Sequence, residues 1–157
     1  MIKITGFLII LVFSSITGII FAKQEKQRRN ICLSLVEFFL YLSNEIPRHK
    51  PINQIICEFF PKKDEGLISA ENREQLCEVL KEFAVNKKSK LIINRTIEFL
   101  ENLGRSTNAN TEAESCRIFY KELSGMYEEY AGESIRYSEL SSKLGLMCGI
   151  AICILLM

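Results

Sequence analysis

The sequence holds no tryptophan, one histidine (His49) and one aspartate (Asp64) among 157 residues, and it contains no C-x-x-C, H-E-x-x-H, G-x-G or G-x-x-x-x-G-K motif. A zinc centre needs several Cys, His or carboxylate ligands in register, and a phosphate loop needs its glycines. Metalloprotease, zinc-finger and nucleotide-cradling chemistries therefore lack their residues, and no cofactor and no metal site is expected. Charge of one sign is lacking too. The 20 Lys and Arg are balanced by 19 Asp and Glu, which leaves no basic field to track a nucleic-acid backbone. Lys87, Lys88 and Lys90 form a short basic cluster without interleaved aromatics, read as a solvated helix junction. Six cysteines are present, at 32, 57, 77, 116, 148 and 153. The first four fall among apolar neighbours and read as small buried hydrophobes. Cys57 with His49 is the one conceivable nucleophile and base pair, but His49 lies between Pro47 and Pro51, where a solvated loop histidine is the simpler reading.

What the sequence does have is an uncharged apolar run at each end. Ile4 to Ala22 is 19 residues without a charge. As a helix rising about 1.5 Å per residue it covers about 28 Å, one bilayer crossing. A cleaved signal peptide fits less well, because Ile20 is a poor residue three before a cut, the run is long, and Lys23, Lys26, Arg28 and Arg29 follow at once. At the other end, Leu144 to Met157 gives 14 uncharged residues. With Lys143 snorkelling, Leu140 to Met157 would cover about 27 Å; a helix lying in the interface is the alternative. Positive charge is retained in the cytoplasm, and Arg136 and Lys143 flank the second run as the basic cluster flanks the first. The expected organisation is a transmembrane helix over 1–22, a cytoplasmic helical bundle over 23–143 and a second transmembrane helix over 144–157, with the two termini across the membrane. Ser14, Gly18 and Ala22 in the first run, and Gly145, Gly149 and Cys153 in the second, recur by fours. Small residues so spaced let membrane helices pack closely, within one chain or between copies.

The charged middle carries helical periodicity. Ile31, Leu35, Phe38, Phe39, Leu42 and Ile46 mark a helix from about Gln27 to Ile46, stopped by Pro47. Pro51 opens a short second helix with Ile52, Ile55, Ile56, Phe59 and Phe60 on its apolar face. Leu76, Val79, Leu80 and Phe83 carry a third, from near Ser69. Leu91, Ile92, Ile97, Phe99, Leu100 and Leu103 carry a fourth, which Gly104 can end because it tolerates a left-handed backbone. Thr111 to Glu114 has the spacing of a capping box for a fifth. From there Cys116, Leu123, Tyr130, Tyr137 and Leu144 repeat every seven residues, a packing stripe for intramolecular core or for a coiled-coil partner. No proline follows Pro61, so this last helix can run into the terminal apolar segment. The fold class is all-α, a membrane-anchored helical bundle.

An N-terminal anchor with a basic flank, a helix ending in Glu45-Ile46, Pro51-Ile52 opening the next, Leu103-Gly104-Arg105-Ser106 before a long helix, and Lys143-Leu144-Gly145-Leu146 leading into a terminal apolar run together resemble the stage III sporulation protein AB family of endospore-forming bacteria. The resemblance covers nearly the whole chain. It implies a GspF-like helical domain, similar to the cytoplasmic domain of the type II secretion platform protein; full platforms have two such domains where this sequence has one. It also implies a place in the mother-cell membrane, bundle facing the cytoplasm, as a non-enzymatic part of the channel joining mother cell and forespore. The partners it implies are a cytoplasmic secretion-type ATPase, other channel membrane proteins and the lipid bilayer, with a homo-oligomer left open. Glu45, Arg48, Lys50 and Arg105 are the candidate docking residues, against the plainer reading of solvated turn residues. Pro51 and Gly104 are the structural turn residues. A coiled-coil membrane tether and a membrane-anchored thiol enzyme using Cys57 and His49 stand as alternatives.

Overall fold

Prolines at 47 and 51 and a glycine at 104 punctuate a chain whose remaining residues favour helix. The computed structural model describes residues 2–60, 68–84, 87–104 and 108–155; the side chains of 2–5, 7, 8, 10, 11, 142, 153 and 155 lie outside the described set. Five helices follow in order: α1 (Ile2–Glu45), α2 (Ile52–Phe59), α3 (Arg73–Phe83), α4 (Lys87–Asn102) and α5 (Ala109–Leu155), with a 3-10 turn at Ile46–Arg48. No strand occurs among the described residues, so the fold is all-α. Two compact units are present, Arg28–Tyr130 and the pairing of Met1–Gln27 with Ala131–Met157. These bounds fall inside α1 and α5.

The unit Arg28–Tyr130 is a five-helix bundle. Ile31, Leu35, Phe38, Phe39 and Leu42 of α1 are fully buried, facing Ile55 and Ile56 of α2, Leu76 and Leu80 of α3, and Leu100 of α4. At about 1.5–3 kcal/mol for each large apolar side chain removed from water, this core is the main force holding the helices together. Phe39 forms its hub, with ring centroids 4.7 Å from Phe119 and 5.4 Å from Phe99, and Phe99 stacks on Phe119 at 4.2 Å. Thr96, a polar side chain buried on α4, satisfies its hydroxyl by donating to the Ile92 carbonyl at 2.9 Å.

Several sequence expectations are corrected here. No separate helix starts near Gln27; α1 is continuous through the basic flank, since no proline or glycine stands between Gly18 and Pro47. The third helix begins at Arg73 and not near Ser69, because Asn72 is the cap, its side-chain oxygen accepting from the Gln75 amide at 2.8 Å. Thr111 does not cap the fifth helix. It lies inside α5, which starts two residues earlier at Ala109 behind Asn108, whose carbonyl accepts from the Glu112 amide at 3.1 Å. Leu91 is 56% exposed, and Ile93 and Thr96 take its place on the buried face of α4. Cys32, Cys77 and Cys116 are buried as expected, but Cys57 is exposed on α2. The heptad stripe of α5 is core at Cys116, Leu123 and Tyr130, with Phe119 buried beside them, whereas Tyr137 and Leu144 are exposed, as is Leu140 between them.

Candidate docking face

At the end of α1 the chain must turn sharply, and the residues there are built for it. Pro47 cannot continue the α-helical hydrogen-bond ladder, so the backbone tightens into the 3-10 turn and reverses at His49, whose φ of 58° is left-handed. Pro51 then holds an extended backbone, with ψ of 138°, immediately before α2. Glu45 anchors this turn from inside. Its side chain is only 6% exposed and lies 2.6 Å from Arg48 and 2.8 Å from Lys50. Lys50 also pairs with Glu58 of α2 at 2.8 Å, and Glu58 accepts from Gln54 at 2.8 Å and from the Tyr41 hydroxyl at 3.2 Å. One ammonium thus joins the end of α1 to α2.

Electrostatics follow the same contacts. Bonding to Glu45 and then Glu58 raises the pKa of Lys50, while donation from Lys50 and then Gln54 holds Glu58 below the usual carboxylate range. Desolvation, aided by the bond to Glu58, raises the Tyr41 hydroxyl. Glu45 is therefore an internal acceptor and not a surface residue, and Lys50 is committed to the turn. Arg48 projects outward, its side chain 69% exposed. Arg105 lies outside the described residues.

Beside the turn is an open cleft of about 390 Å³ lined by Pro51, Ile52, Asn53, Asn72, Arg73 and Gly104, among others. Gly104 has φ of 85°, a conformation that costs an L side chain strain, and the end of the Ile52 side chain would lie 3.4 Å from a Cβ placed there. Arg73 closes the neighbouring helix end: its guanidinium donates to the carbonyls of Leu103 at 2.8 Å and Leu100 at 3.3 Å, at the C-terminal end of α4. The Arg73 amide donates to the Asn53 side chain at 3.3 Å, and the Gly104 amide to the Glu112 carboxylate. Pro51 and Gly104, far apart in sequence, thus line one cleft. Asn53, Asn72, Arg73 and Glu112 were not anticipated at this site. For Asn72 the signal was legible in Asn72-Arg73-Glu74-Gln75, a capping-box spacing in which Gln75 accepts from the Glu71 amide at 2.9 Å.

In the unit formed by Met1–Gln27 and Ala131–Met157, α1 and α5 meet at glycine. A Cβ on Gly145 would lie 2.9 Å from the Ser14 carbonyl and 3.0 Å from the Gly18 Cα, and one on Gly18 would lie 2.9 Å from the Ser141 carbonyl. The Ser14 hydroxyl donates to the Gly145 carbonyl. Gly149 is buried and Ala22 half-buried. The α5 ridge also takes in Ser134, buried to 1% exposure, and Ser141, which the sequence reading missed although both keep the spacing of threes and fours back from Gly145. Around this contact the large apolar residues face outward, among them Phe13, Ile19, Phe21, Met147 and Ile154 at 59–70% exposure. Among the described residues no helix is long and apolar enough to cross a membrane; residues 4, 5, 7, 8, 10 and 11 of the N-terminal run are among those whose side chains are not described.

No group of His, Cys, Asp and Glu able to hold a metal ion occurs among the described residues. Cys57 and His49 are both exposed, and no hydrogen bond joins them among the described residues. Burial pushes the Cys116 thiol up to about 12, away from nucleophile chemistry. The family model for stage III sporulation protein AB matches residues 50–157. The chain belongs to that family. No curated protein and no solved structure matches it significantly. Membership in the stage III sporulation protein AB family makes this a sporulation-related protein, of a structural family not known to be enzymatic. The matched segment begins at Lys50 and includes Pro51, Gly104, Gly145 and Gly149; Glu45, Arg48 and the first glycine ridge precede it.

Proposed function

We propose that this sporulation protein is a non-enzymatic assembly component of a secretion-like channel in the mother-cell membrane. Its helical bundle docks a cytoplasmic secretion-type ATPase, and its paired α1 and α5 segments sit in the bilayer among other channel subunits. The observation that carries this reading is the glycine contact of α1 and α5. Two helices that meet backbone to backbone and turn their large apolar side chains outward are arranged for a lipid surround, where close packing and not the hydrophobic effect joins helices. The uncharged run from Ile4 to Ala22, followed by Lys23, Lys26, Arg28 and Arg29, supports the bundle facing the cytoplasm. The exposed Arg48 beside the Pro51–Gly104 cleft is the face put forward for the ATPase, whose own phosphate loop would supply the hydrolysis that this chain has no motif for.

The test is purification of the full-length tagged protein from cross-linked sporulating cells, with mass spectrometry of what accompanies it. Recovery of a secretion-type ATPase and ring-forming membrane proteins is the expected result. Recovery of none, under conditions that keep a known membrane complex intact, would refute the reading. The coiled-coil alternative loses ground because Cys116, Phe119, Leu123 and Tyr130 are already buried in the bundle.

A further inference from the structure

Within the unit Arg28–Tyr130, α4 and α5 share an outward face whose apolar surface the core does not use. Ile118 on α5 is 61% exposed and Leu91 on α4 is 56% exposed. Ile118 and Gly125 each stand two residues beyond a buried residue, Cys116 and Leu123, which puts them on the side of α5 turned away from the core. Beside Ile118 a groove of about 360 Å³ runs between the two helices, with the stacked rings of Phe99 and Phe119 among its walls. Arg95 spans it, 3.5 Å from Glu98 and 3.9 Å from Glu122. Both distances are longer than the roughly 2.7–2.9 Å of a close charge-assisted bond. One heptad on from Ile118, Gly125 leaves a hollow, since nothing lies within 4 Å of a Cβ placed there. Lys88 pairs with Glu129 at 2.7 Å and Arg95 approaches Glu122. Leu91 falls between those two residues on α4 as Gly125 falls between their partners on α5, which sets Leu91 level with the hollow. The face therefore carries an apolar knob and, seven residues away on the same helix, a hollow with an apolar neighbour.

We propose that this face binds the same face of a second copy of the chain, the two α5 helices running antiparallel about a two-fold axis between residues 121 and 122. An interface of that symmetry must be complementary to itself, and shape and charge both meet the condition. In this register Ile118 of each copy enters the hollow at Gly125 of the other, where Leu91 gives it apolar surface to bury against. Exposed Lys121 of each copy meets exposed Glu122 of the other, so opposite charges face each other twice across the axis. Glu114 comes opposite Glu129, whose charge Lys88 already balances. The occupant is a second copy because knob and hollow lie on one helix with a cation and an anion at their midpoint. Two-fold symmetry requires that arrangement, and an unrelated partner does not. The inference is independent of the bilayer and ATPase readings, since every residue it uses belongs to the unit Arg28–Tyr130.

The experiment is sedimentation equilibrium of the full-length protein in detergent micelles density-matched to the solvent, with circular dichroism to verify that each variant is folded. The unaltered chain is expected to sediment with the protein mass of two copies. Lys121→Glu or Glu122→Lys alone sets like charges against each other twice per dimer, and each should raise the dimer Kd by about tenfold. The double variant, Lys121→Glu with Glu122→Lys, restores opposite charges across the axis and should dimerise like the unaltered chain; a folding defect in a single variant would not be rescued in this way. Ile118→Glu, which places a charge in the hollow, should leave a folded monomer. A monomeric unaltered chain would overturn the proposal. So would a dimer indifferent to the single reversals and to Ile118→Glu, which would have to form through another surface, and so would a double variant that dimerises no better than the single ones.

Discussion

Replacing Gly145 with alanine and, separately, Gly132 with alanine makes the same chemical change at two positions of α5 in the same structural unit. At Gly132 nothing lies within 4 Å of the new methyl, whereas at Gly145 it would meet the Ser14 carbonyl at 2.9 Å and the Gly18 Cα at 3.0 Å, both backbone atoms. Backbone cannot rotate aside, so relief to an ordinary contact of about 3.5–4.0 Å requires α1 and α5 to separate by about 0.5–1 Å. Overpacking of this kind costs about 1–3 kcal/mol. Both variants gain about 1 kcal/mol from the better helix propensity of alanine. Gly132→Ala is then expected to stabilise by about 1 kcal/mol, and Gly145→Ala to be neutral or destabilising by up to about 2 kcal/mol. The difference, about 1–3 kcal/mol, isolates the helix contact from propensity. Thermal unfolding of the full-length protein in detergent, followed by circular dichroism, measures it, at about 2–4 °C per kcal/mol for a chain of this size. If Gly145→Ala raises the melting temperature as much as Gly132→Ala does, the close approach at Gly18 and Gly145 is refuted.

Gly104→Val forces a branched side chain to φ of 85° and should destabilise by about 1–3 kcal/mol; unchanged thermal unfolding would show that the α4–α5 turn does not need its left-handed residue. Phe39→Ala removes the ring shared by Phe38, Phe99 and Phe119 and should cost about 3–5 kcal/mol, read as a fall in the denaturant midpoint with little change in slope. The Lys50–Glu58 pair has a pH signature. The folded pKa of Glu58 is lowered from 4.5, so its stabilisation is present above 4.5 and lost as pH falls through the lower folded value; that of Lys50 is raised from 10.5, so its stabilisation is present below 10.5 and lost as pH rises through the higher folded value. Stability from this network is thus complete from about pH 5 to 10, and Lys50→Met should flatten the acid side of a melting profile. An acid side as steep as before would contradict the assignment.

The helices were legible wherever a single residue type has a hard stereochemical consequence. Pro47 ended a helix, Pro51 preceded another and Gly104 took the left-handed conformation, because ring closure and the lack of a Cβ act locally. Helix starts were less legible where several capping residues stand close together. Ser69 and Asn72 both qualify as caps, as do Asn108 and Thr111; the helices start behind Asn72, whose side chain accepts from the Gln75 amide, and Asn108, whose carbonyl accepts from the Glu112 amide. Leu91 shows the limit of counting apolar residues, since the buried face of α4 is set by Ile92, Ile93, Thr96 and Ile97 and includes a hydroxyl. On α5 the heptad stripe loses its role after Tyr130, where packing passes from large side chains to Ser134, Ser141 and Gly145. A hydrophobic count sees the first half of that helix and overlooks the second. At the turn after α1 the sequence named Glu45 as readily as Arg48, because burial of a carboxylate depends on partners brought in from beyond the helix, which spacing along α1 does not reveal.

The most direct test of ATPase docking is a photo-crosslinking residue placed at Arg48 in the full-length protein in sporulating cells, compared with the same residue at Lys121 on the exposed side of α5. Docking through the turn and cleft predicts an adduct with a secretion-type ATPase from position 48 and none from position 121. An ATPase adduct from 121 alone, or from neither while the ATPase is present, would contradict it.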